Sequence, residues 1–221
     1  MTTKYFIVGI LCSYSLVGIA QTGFKFGLSH NTANTEFTYG NNFGIGKFKS
    51  STIHPGFSLA VFREFEFAEK FSFIPSIGMR SRGFRGLMTP SDRSPEIEFK
   101  NTVYTAFADL KVRLISPLAI LFGNQNLFKH YLSVGSRWDL KMIETSNEAY
   151  QQNFTENQLL SAGIVADIGC EFPLANDDVL NLELEFSSSL HSNNTSETIV
   201  FPYYLNKIQY VSFGINIGYI F

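Results

Sequence analysis

Residues 210–221 read YVSFGINIGYIF. Val211, Phe213, Ile215, Ile217, Tyr219 and Phe221 fall on one face of an extended chain. Tyr210, Ser212, Gly214, Asn216 and Gly218 fall on the other, and only Ile220 spoils the division. Successive side chains of a strand point to opposite faces, so this period of two predicts a strand lying between two unlike environments. Working back along the chain, the same split recurs at about 24–29, 57–67, 71–82, 104–114, 132–142, 160–172 and 181–187. In the fourth of these eight segments, Tyr104, Ala106, Ala108, Leu110, Val112 and Leu114 oppose Thr105, Asp109, Lys111 and Arg113. In the second, Arg63 breaks an otherwise apolar face. Eight strands close a small barrel, and the predicted fold is all-β: an eight-stranded antiparallel up-and-down barrel.

The connections alternate in length. Short links follow the second, fourth and sixth strands, at Ala68–Lys70, about 116–130, and Pro173–Val179. Long polar links follow the others, at about 30–55, 84–101, 145–157 and 191–207. Short turns at one rim and long loops at the other are the pattern of a transmembrane barrel of the outer-membrane type. A ten-stranded barrel would require a hairpin hidden within 30–55 or 116–130. Ahead of the strands, Lys4 precedes an apolar run from Tyr5 to Ile19 and a small-residue site at Gly18-Ile19-Ala20. These features predict a cleaved secretory signal peptide over residues 1–20 and a barrel domain over 21–221.

Composition narrows the function classes. The chain has 221 residues, a formal net charge of −2, 45% hydrophobic and 16% charged residues. No basic excess exists to neutralise phosphates, so nucleic acid is not an expected partner. Two cysteines exclude a disulfide scaffold and every multi-cysteine zinc site. No apolar run after residue 20 is long enough for a membrane-spanning helix.

A soluble barrel of the lipocalin sort also alternates, but with its charges outside. A membrane barrel inverts this, turning apolar groups to lipid and polar groups to the lumen. The polar face here mixes glycine and serine with both signs of charge. Its cations are Lys25, Arg80, Arg82, Lys111, Arg113, Arg137 and Lys141, and its acids Glu64, Glu66, Asp109, Asp139, Asp167, Glu171, Glu183 and Glu185. Near-balance suits a narrow lumen in which each charge needs a partner, because an unpaired buried ion is costly. Together with the export signal, the loop asymmetry and a terminal strand ending in Phe221, this predicts lumen charges paired inside a plugged barrel. Tyr104, Trp138, Tyr219 and Phe221 are expected in the interfacial girdles. Phe213, Tyr219 and Phe221 are the expected assembly signal, read by the barrel assembly machinery during insertion into outer-membrane lipid.

Three stretches resemble the PorT-type outer-membrane β-barrel family of Bacteroidetes. Gly23-Phe-Lys-Phe-Gly27 is similar to its opening G-x-K-x-G strand, and Pro75-Ser-Ile-Gly-Met-Arg-Ser-Arg-Gly83 to its third-strand pattern. Leu110-Lys-Val-Arg-Leu114 followed by Lys129-His-Tyr-Leu-Ser-Val-Gly135 resembles its paired strands L-E-I-P-L and K-P-Y-L-x-x-G. Lys111, Arg113 and His130 depart from that pattern. The resemblance implies a barrel in the outer membrane of a Gram-negative cell. Because some members are similar to a component of the type IX secretion and gliding apparatus, it also implies a secretion subunit as an alternative role.

Catalytic and metal motifs are missing. Gly40–Lys47 (GNNFGIGK) fails as a phosphate-binding loop: five residues separate Gly40 from Gly46, and Phe48 stands where Ser or Thr must reach Mg²⁺. His30, His54, His130 and His191 lack zinc-ligand spacing. His191 lies near Ser187–Ser189, Glu183 and Glu185, but no G-x-S-x-G elbow accompanies it. The expected protein is not an enzyme, takes no cofactor or metal, and does not conduct, since eight strands leave room only for side chains; an outer-membrane lipid-acting enzyme and a small pore are the lesser alternatives. It is expected to act as a structural or interaction barrel, its outward loops contacting other envelope proteins.

Overall fold

Alternating apolar and polar residues commit each segment to extended backbone, and the segments pair in chain order. The computed structural model describes residues 20–39, 45–49, 54–88, 97–115, 129–148, 159–174, 177–190 and 203–221. Among them lie nine strands: β1 (Ala20–Tyr39), β2 (Ile45–Lys49), β3 (His54–Ala68), β4 (Phe71–Met88), β5 (Ile97–Ile115), β6 (Lys129–Ser146), β7 (Leu160–Pro173), β8 (Val179–Ser189) and β9 (Tyr203–Ile220). Neighbours are antiparallel from β3 through β9, and β1 pairs with both β3 and β9, closing the barrel. The wall therefore has eight strands.

The remaining strand, β2, answers the question of a hidden hairpin. Residues 30–55, expected as a loop, carry the upper part of β1 and its antiparallel partner, from Asn34↔Lys49 to Thr38↔Ile45. This ribbon prolongs β1 above the point where β3 begins and adds no strand to the wall. The link at 116–128 lies outside the described residues, as does residue 1–19 of the expected leader.

The registers fix the shape. Ala20 pairs with Phe65 and Phe65 with Phe73. The path continues through Val112, Val134, Ala166, Phe186 and Phe213, and returns to β1 at His30, ten residues above its start. A stagger of ten over eight strands tilts them by about 40° and sets a backbone radius of about 8 Å. At that radius side chains alone fill the interior.

Two irregularities have local causes. The β3–β4 ladder skips Arg63 and Glu64 opposite Pro75 and Ile74, where Pro75 has no N–H to give. Asp177, in the short β7–β8 link, has a φ of 66°, a left-handed turn conformation that aspartate tolerates better than most residues.

Burial is inverted relative to a soluble barrel. Ile77, Val134 and Ile217 are 68%, 59% and 54% exposed on the outer wall, whereas Arg137 inside is 1% exposed. An apolar surface covering the whole circumference cannot face water without a large cost, so the wall is built for lipid. On β9 it runs from Val211 to Phe221, and at the tilt above this spans about 25 Å, the height of a transmembrane barrel's apolar band. Aromatic side chains gather at both margins. Tyr219 packs on Phe24 and Phe221, and Phe67 on Phe71, at the turn end. Tyr104 packs on Phe57 toward the loop end, where Trp138 is also exposed. Arg63 is the outward charge in this band; its guanidinium lies 5.2 Å from the Phe65 ring centroid, directed toward the turn-end margin.

Candidate functional site

The lumen is the part of the molecule where chemistry is concentrated. Inward positions are every second residue of each strand, and the stagger sorts them into four levels between the short-turn end and the long-loop end.

At the turn end Arg113 on β5 lies between Glu64 on β3 and Glu171 on β7. Its guanidinium stacks 3.8 Å from the centroid of Tyr131. The Tyr131 hydroxyl is 2.6 Å from Asn181 Oδ1 and 2.9 Å from Glu183 Oε1. Ser72 donates to Glu64. At the same level, on the side of β9, β3 and β4, Ile220, Phe62 and Ile74 pack into an apolar cluster. Ile220, the residue that spoils the alternation of β9, thus faces inward with the polar set.

One level higher, Lys25 Nζ donates to Glu183 at 3.0 Å, and Lys111 Nζ donates to Asp167, which also accepts from Ser133 at 2.8 Å. Asn216 ties this level to the next, donating to Glu183 at 3.3 Å and to Glu185 at 3.1 Å. At the third level Arg137 grips Asp109 with a two-pronged contact, Nε to Oδ1 at 2.6 Å and Nη2 to Oδ2 at 2.7 Å. Its Nη1 donates to Glu185 Oε1 at 2.6 Å, and its face lies over Phe107 at 4.6 Å. At the fourth, toward the loops, Arg80 holds Asp139 in the same two-pronged way and donates to Ser187 at 3.0 Å. Arg82 also donates to Asp139, at 3.2 Å, and covers the ring of Tyr210 at 4.4 Å.

The structure therefore brings Lys25, Glu64, Arg80, Arg82, Asp109, Lys111, Arg113, Arg137, Asp139, Asp167, Glu171, Glu183 and Glu185 into one vertical network. Two residues of the polar face sit elsewhere. Glu66 is exposed beside the β3–β4 turn. Lys141 lies at the loop-end rim with Glu144, because the β5–β6 register shifts between Tyr104 and Thr105 and ends the regular alternation there. The residues that sequence reasoning passed over are the inward aromatics Phe107 and Tyr131, on which Arg137 and Arg113 stack. Their parity was the available signal: each shares the phase of its strand's charged residues.

Tight packing on the turn side depends on a glycine. A Cβ at Gly169 would lie 2.4 Å from the Tyr131 hydroxyl and 2.5 Å from its Cζ, so Tyr131 lies across β7 because nothing projects there. This covering of a sheet glycine by a neighbouring ring packs the narrow lumen without strain.

Chemically, such a network fills the lumen and fixes its side chains. Each carboxylate is committed to a cation or a hydroxyl. Among the described residues no group of three His, Cys, Asp or Glu side chains is arranged to hold a metal ion. His30 and His54 lie toward the loop end and His130 at the turn end. His54 contacts Thr102 at 3.1 Å, and His191 lies outside the described residues.

No protein-family model matches the sequence, and no curated protein sequence matches it. Solved structures do. The chain is similar to the outer membrane protein OprG of Pseudomonas aeruginosa, at 14% identity over 91% of this chain and 96% of that one, with a TM-score of 0.50. It is also similar to the outer membrane protein AlkL in lipid bilayers, at 13% identity over 91% and 90% of the chains, with a TM-score of 0.47. At such identity the likeness to OprG is one of fold, a closed antiparallel barrel of eight strands.

Proposed function

We propose that the protein is an integral outer-membrane barrel with a sealed lumen, acting without catalysis through the surfaces it presents at its loop end. The observation that carries this reading is the stack of ion pairs from Arg113 to Arg80, which occupies the interior across the height of the apolar band. A conducting or transporting barrel needs a continuous wet path, whereas here guanidinium groups, carboxylates and rings interlock at every level. The partners that follow are outer-membrane lipid along the wall, the assembly machinery during insertion, and other envelope proteins at the loops. Phe213, Tyr219 and Phe221 belong to this reading as the assembly signal, and residues 1–20 as the cleaved export signal.

A second reading makes the barrel a subunit of a secretion or gliding apparatus. The resemblance of Gly23–Gly27, Pro75–Gly83 and the pair Leu110–Leu114 with Lys129–Gly135 to PorT-type barrels favours it, and these stretches fall in β1, β4, β5 and β6. One set of experiments separates the two. The purified barrel in planar lipid bilayers is expected to give no steady conductance above leak. Steady single-channel steps refute the sealed lumen. Crosslinking in intact envelopes then assigns the partner class, and recovery of large translocation proteins selects the second reading.

A further inference from the structure

The fourth level of the lumen is unlike the three beneath it. It sets two guanidinium groups, Arg80 and Arg82, against one carboxylate, Asp139. Arg80 spends its Nε and Nη2 edge on both oxygens of Asp139, as Arg137 does on Asp109. Arg82 reaches Asp139 through Nη1 alone. Its Nε is buried without a hydrogen-bond partner, and among the described residues its one hydrogen bond runs from Nη1 to Asp139. The edge that grips a carboxylate in Arg80 and Arg137 is therefore empty in Arg82, although the side chain is only 4% exposed; Arg113 Nε is also without a partner, but that guanidinium contacts Glu64 and Glu171. The ring of Tyr210 holds the guanidinium plane in place. The acid surplus one level down does not compensate, because Glu185 turns its oxygens to Arg137 and Asn216.

Two more polar atoms toward the same end of the lumen lack partners, Ser161 Oγ and Asn101 Oδ1. Oxygen and nitrogen of an asparagine amide exchange by a half-turn. After that turn the Tyr210 hydroxyl donates to Asn101, and the amide N–H₂ becomes a free donor. The unused capacity at this level then consists of donors around a surplus positive charge.

We propose that the free edge of Arg82 binds a small oxyanion, a carboxylate or phosphate group presenting two oxygens, admitted from the loop end. A planar guanidinium edge matches two such oxygens in parallel, and burial excludes the water that weakens the contact at a surface. The site lies at the top of the filled lumen, on the loop side of the Arg80–Asp139 pair, and stands or falls independently of whether the barrel conducts.

The test uses the full barrel refolded in maltoside micelles, with ¹⁵N-labelled arginine, followed by the side-chain Nε–H resonances. Inorganic phosphate and acetate are titrated separately at constant ionic strength against chloride. One resonance, identified by its loss in Arg82→Gln, is expected to move saturably with at least one of the two probes, and the responding probe gives the class. Arg82→Lys keeps the charge but not the edge; because it also lacks the reporter resonance, it is compared with the parent by calorimetric titration of the responding probe, and is expected to weaken binding by about tenfold or more. No saturable movement with either probe overturns the proposal, as does equal binding by Arg82→Lys. Should Arg82→Gln fail to show the heat-dependent gel shift of a folded barrel, assignment by sequential labelling of the wild-type protein supplies the same readout.

Discussion

Replacing Arg137 by methionine removes the one cation that holds both Asp109 and Glu185, while an unbranched side chain still covers Phe107. All three groups are buried, at 1%, 1% and 8% exposure, so the two carboxylates are left charged and unpaired at the centre of the barrel. Breaking a buried pair in this way costs about 3–5 kcal/mol, roughly two to four powers of ten in the folding equilibrium. The triple variant Arg137→Met, Asp109→Asn, Glu185→Gln removes the charges together, and is expected to lie within about 1–2 kcal/mol of the parent because the desolvation cost disappears with the attraction. Urea unfolding in phospholipid vesicles measures both. The sole tryptophan, Trp138, is on the outer wall beside Arg137 and reports departure from lipid through its emission. A loss below about 1 kcal/mol in the single variant, typical of an exposed pair, refutes the network as described. So does a triple variant as unstable as the single one.

Other outcomes follow from the same geometry. Val134→Arg, at mid-height on the outer wall, is expected to cost about 2–4 kcal/mol in the same unfolding assay, while Arg63→Leu costs little or stabilises. Gly169→Val drives its Cβ into Tyr131 and is expected to destabilise by about 1–3 kcal/mol; Tyr131→Ala in the same chain is expected to recover part of it, and additive losses contradict the contact. On the assembly role proposed for Phe221, its deletion is expected to slow insertion in cells far more than refolding into micelles, where it removes an exposed ring and one backbone hydrogen bond to Thr22; equal slowing in both assays points to a structural role instead.

Much of the architecture was legible because a two-sided wall writes its period into the chain. Val211 to Phe221 is sufficient to assign β9, and, apart from Lys141 at the rim, the charges that oppose apolar residues in β5 and β6 are the ones that pair in the lumen. What escaped lies where period two persists but polarity does not. Phe62, Ile74, Phe107, Tyr131 and Ile220 are apolar residues in the inward phase, and each is there because a narrow lumen needs volume as well as charge balance. Hydropathy records which residues dislike water and not which of two dry surroundings they occupy. The partner of each charge was illegible for another reason: Arg80 and Asp139 meet across the lumen, and their distance depends on the stagger of every strand pair between them.

The return of the path from Ala20 to His30 has a kinetic meaning. The closing seam joins Phe24 to Tyr219, so the first and last strands of the wall must find each other after everything between them has been made. Contacts so remote in sequence form slowly, and antiparallel pairing tolerates slips of two residues. A slip of two at that seam alters the stagger from ten to eight or twelve and the lumen diameter by about 1.4 Å. Outer apolar residues would scarcely register the difference, since lipid accommodates either circumference. The contacts that reach past a neighbouring strand, Lys25 to Glu183, Arg137 to Glu185 and Arg80 to Asp139, at 2.6–3.0 Å, would not survive it. The interior charges thus serve as a gauge of circumference, accepting the barrel of one size and rejecting its near neighbours.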